Sequence, residues 1–471
     1  MPESAAEWMP SASIELMPVS NHAMIFVTAM PRLAASAAKI AVLLPLCPPD
    51  PASFSSLMPP RIGGDSRAAN RDGAVTPPRS SEEPAAPTLL YLSESDVRAA
   101  FTADVAHASQ HAAFIALGRG EALLPARLLL PGRGDDVAFC YAARAEASAP
   151  AVSKFGSVHA GNVDAGLPAV HALVTVLDPT TGVPTCVMAG TTLTTRRTAA
   201  ASAVAMEALW SPDSSGRDDV RVADGAGVGA RDGTGVHVAI VGSGVQAEAH
   251  AHALCAVGGE HTVGRIRLAA RDRASADELV ARWHTTRPEG APDMELVDTV
   301  EQACADADVI AVCTTSTTPV LEATWVRDGA LVISVGSFSA ERSEVPSDLV
   351  AQARVVVDDR ETALADNGCV VAALMAGVLE TGSVETLGEV LVRDAAHADD
   401  DDAERHVWND DSSNNGVTNH GAADSDAGAH GERRPRVTLY ASVGIGLQDA
   451  AAAVAVQEAA QRAGVGTPLP L

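Results

Sequence analysis

Positive charge is scarce in this chain: 33 lysines and arginines stand against 60 aspartates and glutamates, a formal net charge of −27. So acidic a surface repels phosphate backbones and anionic headgroups, which argues against nucleic acid or a membrane as partner. Metal-ligand and disulfide spacing is missing too. The seven cysteines, Cys47, Cys140, Cys186, Cys255, Cys304, Cys313 and Cys369, form no CxxC pair and no even framework. They read as reduced, mostly buried thiols of a cytoplasmic protein with no structural metal. A long apolar run is also absent from the acid-free stretch Met17 to Pro45. That stretch ends in Ile40 to Leu44, too short to span a bilayer, and Glu3, Glu7 and Glu15 before it speak against a targeting sequence.

Sustained periodicity is lacking in three further places. Residues 1–88 are rich in Pro, Ser and Ala, residues 211–235 in Gly and Asp, and residues 394–435 contain the acidic run Asp399 to Asp402 among Ser, Asn, Gly and His. Such segments bury too little apolar surface to offset the entropy of ordering, so they read as a disordered extension, a solvated insertion and a disordered acidic insertion. What remains, with 47% hydrophobic residues in the chain of 471, is enough for more than one core.

The most informative of these ordered segments is Val236 to Ala247. An apolar run, Val236 to Val241, ends in Gly242 and Gly244, and a helical pattern follows at once. Glycines there let the backbone turn tightly and approach a pyrophosphate at a helix N-terminus, while the small Ala247 permits close packing of helix on strand. Further runs at Arg265 to Ala270, Val309 to Cys313, Ala330 to Val335 and Val355 to Asp358 read as strands of a doubly wound parallel sheet. At the end of the second strand, an NAD enzyme carries an acid for the ribose 2′-hydroxyl. Here Ala270 and Arg271 stand instead, so the sequence favours NADP(H) over NAD(H), with Arg271 either pairing a 2′-phosphate or forming a solvated strand end beside Asp272.

Outside that sheet, Leu124 to Arg127, the segment around Lys154, the strand Leu173 to Leu177 and the helix opening at Gly190 carry isolated cations among small or apolar residues. Singly, Arg127, Lys154 and Arg197 read as ordinary surface charges. In their order and spacing, these segments resemble the ornithine cyclodeaminase and mu-crystallin family. The matching motifs are Leu124 to Arg127, Lys154 to Asn162 with Gly166 to Pro168, Leu193 to Ser202, Gly242 to Ala247, Ala307 to Ile310, Val335 with Gly336, and Ser442 to Asp449. The resemblance implies an α/β fold in which a Rossmann-type domain, 236–393, is inserted in a discontinuous α+β substrate and dimerisation domain, 89–210 with 436–471, of a homodimer. It also implies that Arg127 and Arg197 hold a substrate carboxylate, that Lys154 stands beside the reacting carbon, and that Val443 lies near substrate. Arg197, Thr198, Gln246, Ala247, Thr314, Val335 and Ser442, with Gly242 and Gly244, would touch the cofactor.

One departure sets the expected chemistry. Deaminating cyclases of this family carry an aspartate shortly after the motif that Val335 and Gly336 match, and this chain has Phe338 there. A phenyl ring takes up no proton from a departing amine, a service worth roughly 10²- to 10⁴-fold in rate. Phe338 therefore reads either as a wall for a cyclic imine or as a core aromatic. The resemblance is closer to the ketimine reductases, which implies NADPH-dependent reduction of a cyclic ketimine carboxylate of the Δ1-pyrroline-2-carboxylate or Δ1-piperideine-2-carboxylate type to proline or pipecolate. An ornithine cyclodeaminase that recycles tightly bound NAD, and a mu-crystallin-like small-ligand binder, are the alternatives.

Overall fold

The computed structural model describes residues 87–134, 136–211, 235–408 and 435–471, so the expectations for 1–86, 212–234 and 409–434 fall outside the described residues. The chain opens with β1 (Thr88–Leu92), α1 (Glu94–Ala100) and α2 (Ala103–Gly118). Ser93 caps α1 in a reciprocal box with Asp96, and Thr102 caps α2, so each helix starts where a hydroxyl satisfies an orphan N–H. Then follow β2 (Leu128–Pro131), β3 (Val137–Ala143), β4 (Ala151–Val158), β5 (Val170–Leu177), β6 (Pro184–Ala189) and the long α3 (Gly190–Leu209).

The second half runs β7 (Val236–Val241), α4 (Val245–Cys255), β8 (Val263–Ala269), α5 (Arg273–Thr286), β9 (Met294–Leu296), α6 (Val300–Cys304), β10 (Val309–Val312), β11 (Leu331–Ser334), α7 (Ser347–Val350) and β12 (Ala353–Val357). It continues through α8 (Arg360–Asp366), α9 (Gly368–Met375), β13 (Glu385–Thr386), α10 (Leu387–Trp408), β14 (Val437–Ala441), α11 (Gly446–Ala463) and β15 (Thr467–Pro470). Two sheets result. A seven-stranded mixed sheet has the order β15-β1-β6-β5-β4-β3-β2, and an eight-stranded sheet, parallel throughout, has the order β13-β12-β14-β11-β10-β7-β8-β9.

Strands β10 and β11 are buried at every position, as a parallel sheet covered on both faces requires. The chain leaves β7 in one direction along the sheet and reaches β10 in the other, so the crevice between their carboxyl ends is the topological switch point where such folds bind ligands. On the mixed sheet, α11 packs against β3, β4 and β5, and α3 against β5. The C-terminal half of α3, Ala201 to Leu209, belongs to the same apolar cluster as Val236, Ile240 and Trp283 of the parallel-sheet domain. One helix thus joins both cores.

Two boundaries differ from those read in the sequence. Residues 436–471 do not all belong to the substrate domain, because β14 pairs in parallel with both β11 and β12. Its Val437, Leu439, Tyr440 and Ala441 are buried and point to both faces, which suits an interior strand of a parallel sheet and no surface position. The insertion expected to stay unpacked from 394 is helical as far as Trp408. No Gly or Pro interrupts the chain between Glu389 and Trp408, so α10 continues through the acidic run.

Candidate active site

Strand alternation places Lys154. Along β4, Val152 and Lys154 turn inward while Phe155 faces out, and register sets Lys154 opposite Tyr141 of β3 and Val174 of β5. Only 2% of Lys154 is exposed. Its ammonium lies 5.0 Å from the Tyr141 ring centroid and 5.6 Å from that of Phe139, so aromatic faces supply part of the solvation that water would otherwise give. The charge partner comes from α11: Nζ is 2.6 Å from Asp449 Oδ2 and 3.5 Å from Thr194 Oγ1 on α3.

Arg197, one turn along α3 from Thr194, completes the cluster. Its Nε donates to Asp449 Oδ1 at 3.1 Å and its Nη1 to Gln448 Oε1 at 2.8 Å. Asp449 therefore bridges two cations from a position in the first turn of α11, where the helix dipole also favours an anion. Burial pulls the Lys154 pKa down and Asp449 pulls it back up, with Arg197 adding to the fall, for a value of about 8. The loop after β14 closes over this group at Gly444, whose φ is +85°. A side chain there would collide with the Arg197 guanidinium, 2.9 Å from where a Cβ would sit, so glycine is required on both counts.

The third predicted cation stands next to the pair. Arg127, in the loop before β2, forms an ion pair with Asp366 of α8, and its charge reaches Tyr141, whose ring flanks Lys154. Burial raises the Tyr141 pKa against the pull of Arg127. Arg127, Lys154 and Arg197, distant in sequence, are therefore linked through Tyr141 and Asp449. The sequence reading assigned no role to Asp449, Gln448, Tyr141 or Asp366. Asp449 lies inside the motif Ser442 to Asp449, and its one visible signal is an acid in the first turn of a small-residue helix.

Across the parallel sheet, the glycine turn has the shape a dinucleotide needs. Gly242 adopts φ +116°, and a Cβ there would lie 2.4 Å from the Cys313 carbonyl oxygen at the end of β10. Gly244 is the N-cap of α4 and supplies no side-chain cap, so the opening N–H groups of α4 face the turn. Gln246 Oε1 is buried without a hydrogen-bond partner, and Ala247 is wholly buried behind the turn. An uncapped helix start and an orphaned buried oxygen fit a pyrophosphate-bearing ligand. Arg271 is exposed just past β8, and the neighbouring Asp272 spends its carboxylate on the cap of α5, accepting from the N–H groups of Ala274 and Ser275 at 3.0 and 3.3 Å.

The remaining predicted residues line the carboxyl edge of the sheet. Thr314 follows β10 and donates to Glu344, and Val335, half-buried, follows β11. Ser442 and Val443 follow β14, where the Ser442 hydroxyl (3.2 Å) and the N–H groups of Val443 (2.9 Å) and Gly444 (2.6 Å) all donate to Asp358 Oδ2. Phe338 is 43% exposed, so the core-aromatic reading does not hold. The Arg342 guanidinium carbon lies 5.1 Å from its ring centroid. Thr198 sits on α3, where its hydroxyl donates to the Thr194 carbonyl at 2.8 Å.

Fold and site together define a doubly wound α/β protein whose parallel sheet carries a glycine turn shaped for a dinucleotide, with a buried lysine, aspartate and arginine cluster on the adjoining mixed sheet and its helices. More closely, the chain belongs to the ornithine cyclodeaminase/mu-crystallin family, whose model matches residues 91–217 and 219–403. It is 34% identical to a Delta(1)-pyrroline-2-carboxylate reductase of Burkholderia ambifaria over 241 residues, 51% of this chain and 67% of that one. Among solved structures it resembles the Thermococcus litoralis Delta(1)-pyrroline-2-carboxylate reductase in complex with NADH and L-proline, with a TM-score of 0.63 and 25% identity, covering 80% of this chain and 99% of that one. An archaeal alanine dehydrogenase dimer with bound NAD is similar with a TM-score of 0.61 and 25% identity, covering 81% and 99%.

Proposed function

We propose that this chain is an NADPH-dependent reductase of small cyclic ketimine carboxylates, forming cyclic imino acids such as proline or pipecolate. The observation that carries the reading is the Lys154, Asp449 and Arg197 cluster, which abuts the loop at the carboxyl end of β14. Arg197 is committed to Asp449 and Gln448 through Nε and Nη1, leaving Nη2 for a substrate carboxylate, and Arg127 provides the second cation. Lys154, held by Asp449, keeps a proton at Nζ and directs it toward the imine nitrogen, which makes the adjacent carbon a better hydride acceptor. A bound nicotinamide supplies that hydride.

Phe338 in place of a carboxylate supports net reduction over release of ammonia. The exposure of Arg271, with Asp272 occupied at a helix cap, supports NADPH over NADH. Activity is read by following NADPH and NADH oxidation against five- and six-membered cyclic imine carboxylates, beside an ammonia assay with ornithine. The expected result is imine-dependent NADPH oxidation that falls by at least about 10²-fold in Lys154→Ala. Ammonia from ornithine without net loss of reduced cofactor, or a Lys154→Ala rate equal to wild type, overturns the assignment.

A further inference from the structure

Glu344 is a fully buried carboxylate with no part in the cluster above. Its Oε1 accepts from the Thr314 N–H and the Thr314 hydroxyl, both at 2.6 Å, and its Oε2 accepts from the Gly336 N–H at 2.5 Å and the Ser334 hydroxyl at 3.2 Å. Burial pushes the Glu344 pKa up, and the four donors, which fill the four lone-pair positions of a carboxylate and are all neutral, pull it back toward the ionised form. Among the described residues no lysine, arginine or histidine pairs with it. A buried anion without a counter-cation is costly, and a clip between two loops is made as well by neutral groups.

Its place in the fold gives the charge an object. Thr314 and Gly336 follow β10 and β11, next to the switch point, on the side of β7 away from β8. Burial pushes the Cys313 thiol pKa up and the nearby Glu344 adds to the rise, and the Cys313 carbonyl stands where a side chain on Gly242 of the nucleotide turn would have to go. In a doubly wound sheet, the half of a dinucleotide beyond the switch point lies over these carboxyl ends. That half is the nicotinamide, neutral when reduced and carrying one positive charge when oxidised.

We propose that Glu344 is a positioning residue for charge: its fixed negative charge beneath the β10 and β11 loops favours the oxidised over the reduced nicotinamide and so strengthens the bound cofactor as a hydride donor. This rests on the reductase reading above. The test measures dissociation constants of NADP+ and NADPH by titration calorimetry, without substrate, for wild type, Glu344→Gln and Glu344→Asp. In Glu344→Gln, the NADP+ constant is expected to rise about tenfold relative to that of NADPH, the order of a single buried charge. Glu344→Asp, which keeps the charge, is expected to weaken both nucleotides alike and hold their ratio within about threefold. Equal weakening of both nucleotides in Glu344→Gln reduces Glu344 to a loop clip and overturns the proposal. A tenfold change of ratio in Glu344→Asp overturns it as well, even if Glu344→Gln fails to fold. A wild-type chain that binds neither nucleotide overturns the reductase reading itself.

Discussion

Burial alone would strip the proton from Lys154, and Asp449 is the residue that opposes it. The pair is worth little as a source of stability, since two desolvated charges in contact gain roughly what they lose. Its consequence is a proton held near neutral pH by one oxygen. With Lys154 lowered to about 8, kcat/KM for imine reduction is expected to fall as pH rises through that value, because the deprotonated amine has nothing to donate. In Asp449→Asn the favourable charge is gone, so this limb moves to lower pH and the rate at pH 7 drops by roughly 10-fold or more. A pH–rate profile with its limb unmoved in Asp449→Asn would show that Lys154 is not the titrating acid. None of this was legible from Lys154 itself. The three cations stood out as charges among small residues, but the counter-ion that Lys154 shares with Arg197 lies some three hundred positions from Lys154, and only packing brings it within 2.6 Å.

Among the elements, α3 and α4 carry the junction between the two sheets, and a buried histidine fastens them. His250 Nδ1 donates to the Gln246 carbonyl at 2.7 Å, and Nε2 accepts from the Ser202 hydroxyl at 2.9 Å. This assignment is the neutral tautomer, and burial lowers the His250 pKa to about 4. The native state therefore binds fewer protons than the unfolded chain between about pH 6.5 and 4. Stability from this site is present above pH 6.5 and lost as pH falls toward 4, up to about 3 kcal/mol. Urea denaturation across that range is expected to show the loss in wild type and a flatter response in His250→Gln, which has a donor and an acceptor but no titration. Identical slopes would place the acid sensitivity elsewhere. Element reading from sequence succeeded where a strand is a local apolar run, as at β7, β10, β11 and β12, and at the glycine turn, whose residues are contiguous. It missed β2, β3 and β14, whose identity depends on partners remote in the chain.

At the scale of the whole molecule, the mixed sheet has one face covered by helices and one that, among the described residues, is not. Phe155 and Leu173, directly opposite each other on β4 and β5, are 57% and 54% exposed, and Leu128, Leu129 and Leu130 lie exposed on the edge strand β2. Among the described residues these apolar groups lie on an open face and an edge with no partner strand, the surfaces on which the expected homodimer would form. Sedimentation of Phe155→Lys with Leu173→Glu is expected to give a monomer from a dimeric wild type. A double variant that remains dimeric would move the interface to another surface.

The placement of β14 between β11 and β12 also governs the order in which the molecule can be made. Its neighbours leave the ribosome first, with β12 ending at Val357, and about eighty residues pass before Val437 arrives to separate them. Until then β11 and β12 each present an edge of unpaired backbone N–H and C=O groups where β14 will insert. The acidic run Asp399 to Asp402 lies within that interval of chain, so the sheet closes only after a strongly anionic segment has been made.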